Sequence, residues 1–168
     1  FEGGTVGNWG ATLSTLSIVS SPSWHGGKAL KIVPTTQHGR AQIRVDSGGL
    51  GLVSQGDTVT LSAYARLESG GPANVTVAIT IIGVATFKTT LPVTSSGWTR
   101  IPITKTIDQL GTGVYIQLYG GECGVSQATV IFDGIKLEKK AYPTSWTLGG
   151  TTRSPETLTI PTENVLNP

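Results

Sequence analysis

The chain is 168 residues long, 13% charged and 38% hydrophobic, with 23 glycines and a net charge of +2. This length suits one domain with a sizeable core, and the low charge excludes a disordered chain. The net charge is too small and dispersed to argue for nucleic acid or an anionic membrane, and no apolar run is long enough to cross a bilayer.

In chain order, alternation of apolar and polar residues predicts strands at 11–20, 28–34, 39–46, 57–68, 74–82, 84–93, 97–104, 113–120 and 128–139. Turn signals stand between them, including SSPSWHGG, DSGGLG, ESGGP, TSSG and GGECG. Many strands at short spacing, with no helix to cross over a parallel sheet, predict an all-β fold, an antiparallel β-sandwich. That domain spans 1–141. From Tyr142 the chain turns rich in Pro and Thr and loses alternation, so 142–168 reads as an extended arm or linker, first packed on the sandwich through Trp146. Starting at Phe1 and lacking Met, the chain is expected to be a piece of a longer protein, with neighbouring domains and any targeting signal elsewhere. The lone Cys123 has no intrachain disulfide partner, and the Asn74-Val75-Thr76 sequon is an acceptor only in a secreted eukaryotic protein.

Three strands carry an unusual polar face. HGRAQIRVDS places Arg40, Gln42 and Arg44 opposite Ala41, Ile43 and Val45. DTVTLSAYARLE puts Tyr64, Arg66 and Glu68 opposite Ala63, Ala65 and Leu67, and GVYIQLYG puts Tyr115, Gln117 and Tyr119 opposite Val114, Ile116 and Leu118. Aromatic rings stack on pyranose faces while amides and guanidinium groups hydrogen-bond hydroxyls, so this composition suits a sugar. Tyr is also an ordinary resident of exposed strand faces. The sugar reading requires the three strands to share one sheet.

Catalysis finds no support. The 10 acidic residues form no recognisable catalytic pair, His25 and His38 flank turns without metal-ligand spacing, and Cys123 sits in a Gly-rich turn without a partner base. The expectation is a protein that is not an enzyme.

FEGGTVGNW, SWHGGKALKIV, GDTVTLSAYARL, GWTRIPIT and IFDGIKLEK occur in that order over residues 1 to about 140. Together they resemble jelly-roll carbohydrate-binding modules of the family 4, 9, 16 and 22 type. The closing LEKKAYPTSWTLGGTTRSPETLTIP resembles segments that end such modules in phage tail or bacterial surface proteins. The resemblance implies a jelly roll that binds a polysaccharide or oligosaccharide without cleaving it, at the cell surface, on a virion or outside the cell. It also implies a structural calcium held by Glu2, backbone oxygens around Gly26 and Lys28, and Asp133, a set of hard oxygens of the kind Ca²⁺ takes. Relatives bind sugar either in a concave sheet groove or at edge loops. Here the polar faces favour a groove built from Arg40, Gln42, Arg44, Tyr64, Arg66, Tyr115, Gln117 and Tyr119. Trp24 stands where the pattern usually has a small residue, as a rim platform for a sugar ring or a ring packed on its own sandwich, and Trp9 and Trp98 match core positions. The alternative is a structural or adhesion domain of a phage tail or surface protein with no sugar site.

Overall fold

A computed structural model describes residues 3–145. Among them ten strands form two antiparallel five-stranded sheets. These are β1 (Gly10–Thr12), β2 (Ser14–Val19), β3 (Ala29–Pro34), β4 (Arg40–Arg44), β5 (Thr58–Leu67), β6 (Ala73–Ile81), β7 (Ala85–Val93), β8 (Thr99–Thr106), β9 (Val114–Tyr119) and β10 (Val130–Glu138). One sheet runs β1-β4-β9-β6-β7, the other β2-β3-β10-β5-β8. The fold is an all-β jelly-roll sandwich, as the alternation indicates.

The predicted strand 11–20 is two strands in different sheets. Leu13 between them has φ of +49°, a left-handed turn that carries the chain from one sheet to the other. Gly39 lies against this corner, where a Cβ would stand 2.5 Å from the Leu13 carbonyl oxygen.

The inward faces meet in one core. Leu61, Ala63, Ala65 and Leu67 of β5, Val77, Ile79 and Ile81 of β6, and Val114, Ile116 and Leu118 of β9 are buried in it, with Phe132 of β10. A period of two along each strand puts these residues on the core side and their neighbours outside. Trp9 packs against this core, whereas Trp98 is half-buried outside it, so the core role expected of Trp98 does not hold.

The two outer faces differ. That of the β2-β3-β10-β5-β8 sheet is covered by the chain itself. The Thr60 hydroxyl donates to Lys140 O, Arg100 Nη2 to Thr144 O, and Lys136 Nζ to Thr144 Oγ1 and Ser145 O, so the segment after β10 lies over β5, β8 and β10. Glu138 receives the Thr144 N–H at 2.9 Å. Thr60 and Ser62 are buried as a result, although they point away from the core. Thus the first residues of the predicted arm belong to the sandwich; Trp146 and the rest of the arm lie outside the described residues.

Candidate carbohydrate-binding face

The outer face of the β1-β4-β9-β6-β7 sheet holds most of the residues the alternation singled out. Register pairs Arg40 with Tyr119, Gln42 with Gln117 and Arg44 with Tyr115 across β4 and β9. On the other side of β9, β6 sets Ala78 beside Gln117 and Thr80 beside Tyr115, and β7 sets Lys88 beside Ala78 and Thr86 beside Thr80. An even residue offset along each strand keeps all of these on one face.

Tyr64 and Arg66 do not join them. They sit on β5, in the other sheet, so the expected three-strand groove is a two-strand arrangement. The Tyr64 ring is stacked under Trp24, centroids 3.8 Å apart at 12°, with the Arg100 guanidinium 5.7 Å from its centroid. Trp24 is therefore a ring packed on its own sandwich, remote from the β4–β9 face, rather than a rim platform.

A hydrogen-bond network crosses the face. Gln117 is at its centre, 3% exposed, with Nε2 donating to Gln42 Oε1 at 3.2 Å. Its Oε1 accepts from the hydroxyls of Thr80 at 2.8 Å and Tyr119 at 2.9 Å. Arg40 Nε donates to the same Gln42 oxygen at 3.1 Å and Nη1 to His38 O at 3.1 Å. Its guanidinium lies 5.7 Å from the Tyr119 ring centroid. Burial and a hydrogen bond with Cys123 push the Tyr119 phenol well above its usual range, so it stays protonated against the opposing pull of Arg40.

Arg44 has a different role. It grips Asp46 in a fork, Nε to Oδ1 at 2.5 Å and Nη2 to Oδ2 at 3.1 Å, and donates again to Thr112 O. Asp46, 3% exposed, also accepts the N–H of Gly48 and of Val114, each at 3.2 Å. The Arg44 side chain comes first in holding the Asp46 carboxyl below its ordinary range, with Val114 and Gly48 adding to it against burial. A Cβ on Gly48 would meet the Arg44 guanidinium at 2.4 Å and one on Gly49 the Arg44 carbonyl oxygen at 2.4 Å. The loop 46–53 is thereby wound tightly around Arg44, which anchors it.

Loops bound the face at both ends of β9. The 46–53 loop stands beside the Arg44–Tyr115 end. At the other end the 120–128 loop folds over the face, its Cys123 N–H donating to Thr76 Oγ1 at 3.1 Å and Glu122 accepting from Asn74 Nδ2 at 2.8 Å. Lys88 Nζ reaches the Cys123 sulfur at 3.6 Å. Between these loops Arg40, Gln42 and Tyr115 are half-buried and Thr86 and Lys88 exposed, while Ala78, Thr80, Gln117 and Tyr119 are buried beneath them.

The carboxylate at the expected calcium site is placed by a β-bulge between Asp133 and Lys136. Asp133 Oδ2 accepts the N–H groups of Trp24 at 2.8 Å and His25 at 3.0 Å, and Oδ1 that of Gly134 at 2.7 Å. Asp133 thus ties the 20–28 loop to β10. Glu2 lies outside the described residues, and no group of three His, Cys, Asp or Glu side chains suited to a metal occurs among those described.

Lys88, Thr80, Thr76 and Asp46 are features of this face that strand alternation did not single out. Their signals are the run TVAIT, where Thr76, Ala78 and Thr80 share one face, the run TFKTT, where Thr86, Lys88 and Thr90 do, and the spacing of Arg44 two residues before Asp46.

A jelly-roll sandwich with one covered sheet and one open sheet bearing amides, guanidinium groups and tyrosines has the build of a glycan-binding module. A family model described as a carbohydrate binding domain matches residues 1–128, and the chain belongs to that family, the CBM_4_9 carbohydrate-binding domains. Among solved structures the chain is similar to the CBM22-1 xylan-binding domain of Paenibacillus barcinonensis Xyn10C, at 17% identity and a TM-score of 0.68, covering 81% of this chain and 88% of that one. It is also similar to a family 16 carbohydrate-binding module, at 20% identity and TM-score 0.55, covering 80% and 96%. A third similar structure holds the CBM22-1 and GH10 modules of Clostridium thermocellum Xyn10B with xylohexaose, at 13% identity and TM-score 0.62, covering 77% of this chain and 26% of that one. No curated protein sequence matches the chain.

Proposed function

We propose that this domain binds a polysaccharide without cleaving it, along the outer face of the β1-β4-β9-β6-β7 sheet, and docks a larger protein onto that glycan. The observation that carries the reading is the network centred on buried Gln117 and Tyr119, which holds half-buried Arg40 and Gln42 in fixed positions on the outer face of this sheet. A preformed set of donors lowers the ordering cost of binding, and half-buried Tyr115 supplies a ring edge or face to a pyranose. The structures similar to this chain include a xylan-binding domain and a xylohexaose complex, which supports a β-linked chain as ligand. On this face Asp46 is occupied by Arg44 and Glu122 by Asn74, which leaves no opposed pair of free carboxylates among the described residues for glycoside hydrolysis. Binding in the micromolar to millimolar range, about 4 to 8 kcal/mol, is expected. Affinity electrophoresis against xylan, glucans, mannan and peptidoglycan tests this, with Gln42→Ala and Tyr115→Ala as face variants. Retardation by none of them refutes the proposal, as does retardation that both variants leave unchanged. The setting that goes with this role is extracellular or on a virion or cell surface.

A structural calcium belongs to the same reading. Asp133 Oδ1 keeps a lone pair beyond the Gly134 hydrogen bond, and the Gly26 carbonyl, which receives the Ser23 hydroxyl, also has one free. With a Lys28 carbonyl these oxygens would supply part of a hard-oxygen shell, water the remainder, and Glu2, the other expected ligand, lies outside the described residues. Calcium would brace the junction of the 20–28 loop and β10. A rise in Tm on adding calcium that Asp133→Asn abolishes is the expected result; the same Tm with calcium and with chelator refutes it.

A further inference from the structure

Resting on the sheet face proposed above as the sugar site, we infer that its ligand carries carboxylates, as in a uronic-acid-containing glycan. Hydrogen-bond direction is the first ground. The amide oxygens of the face are turned inward and saturated: Gln42 Oε1 receives Arg40 Nε and Gln117 Nε2, and Gln117 Oε1 receives Thr80 and Tyr119. An amide oxygen has two lone pairs, so neither has one left for a ligand. With both oxygens fixed inward, the outward groups are donors. Gln42 Nε2 and Arg40 Nη2 have no partner among the described residues, and exposed Lys88 Nζ contacts only the Cys123 sulfur. Sugar hydroxyls donate as well as accept, and on this face their protons are left with hydroxyl oxygens such as those of Tyr115 and Thr86 rather than an amide or carboxylate oxygen. A carboxylate only accepts.

Charge is the second ground. Asp46 is neutralised in its fork with Arg44, and Glu122, held by the neutral Asn74 amide, is the one acidic side chain of the 120–128 loop beside this face. Arg40 and Lys88 form no ion pair with any described residue. The two cations flank Tyr119: Arg40 lies over its ring, and Lys88 reaches Cys123, which borders its hydroxyl. Tyr119 stays neutral and does not compensate them. Tyr119 itself is only 5% exposed, so an anion at this end of the face would meet Arg40 and the Gln42 amide beside it, with exposed Lys88 on the Cys123 side, and charge-assisted bonds of this kind are about twice as strong as neutral ones.

The test uses matched polymers: glucuronoxylan against the same polymer with its carboxyl groups reduced to alcohols, and polygalacturonate against its methyl ester, by calorimetry at low salt. In at least one pair the acid form should bind about tenfold tighter, the size of one charge-assisted contact. Lys88→Gln and Arg40→Gln should each remove most of that difference, while Lys139→Gln, distant beside Asp57, should leave it intact. Lys88 is an exposed side chain, so its variant keeps the test open if the Arg40 variant fails to fold. Dextran sulfate is included as a sulfate source and should bind more weakly than the uronate chains. Equal affinity within both pairs overturns the inference while leaving glycan binding intact, and a difference unaffected by Lys88→Gln overturns it as well. Dextran sulfate binding as tightly as the uronate chains overturns the carboxylate preference. No binding to any polymer removes both the inference and the proposed function.

Discussion

Replacing Gln117 with leucine should cost about 2 to 3 kcal/mol of stability and most of the glycan affinity. Three hydrogen bonds vanish, from Thr80, from Tyr119 and to Gln42. At roughly 0.5 to 1.5 kcal/mol each they sum to about 1.5 to 4.5 kcal/mol. Thr80 retains Thr86 at 3.1 Å and the Tyr119 hydroxyl retains Cys123, so neither hydroxyl is left bare and the upper end is not reached. Leucine recovers part of the loss by packing apolar surface at a site only 3% exposed. For a domain of this size the expected fall in Tm is about 4 to 12 °C. Urea unfolding followed by tryptophan fluorescence measures the stability, and calorimetry against the tightest glycan measures binding. The two effects share one cause, because Gln42 loses the donor that turns its oxygen inward and Arg40 loses a fixed partner. A double-mutant cycle with Thr80→Val should give a coupling of at least about 0.5 kcal/mol. A cost under about 0.5 kcal/mol with unchanged affinity would refute the claim that this network sets the face.

Other consequences are smaller in scope. Asp46 titrates below its ordinary value of 3.8 in the folded chain, so its contribution is present above that pH and is lost as pH falls through the lower folded value. Asp46→Asn should therefore be less stable at pH 7 and flatten the acid limb of a stability-versus-pH curve; a limb of unchanged slope counts against the Arg44 fork. Asp57, held low first by Lys139, and Glu138, held low by Thr144 and Lys136 against burial, supply the part of the limb that remains. Trp24→Ala should cost about 2 to 3 kcal/mol through lost stacking on Tyr64 and leave glycan affinity unaltered. A fall in affinity without unfolding would restore Trp24 to the binding surface. Gly111→Ala meets both a φ of +57° and the Ile82 carbonyl oxygen at 2.1 Å, and should destabilise by more than about 2 kcal/mol in the same urea assay.

Strand alternation made the core faces legible, because a period of two needs no knowledge of partners. It left the partners themselves open. SAYAR and VYIQLY have the same signature, yet β5 pairs with β8 and β10 whereas β9 pairs with β4 and β6. Sheet membership in this fold is set by long crossovers and by corners such as Leu13, whose backbone twist the continuous pattern ATLSTLS does not disclose. What separates the two polar faces is the rest of the chain. On β5 the outward residues nearest the end of β10 are Thr60 and Ser62, small enough to lie under the segment running to Ser145, and Tyr64 is large enough to carry Trp24. The segment LEKKAYPTS supplies Lys136, Glu138 and Thr144 as the clasp of that cover. On β4 and β9 the outward residues are long and bonded to one another, and the bounding loops are fastened at the strand ends, by Arg44–Asp46 on one side and Thr76–Cys123 on the other. Two sheets of like pattern thus differ in what lies outside them: the chain closes over one, and the polar side chains of the other are tied into their own network.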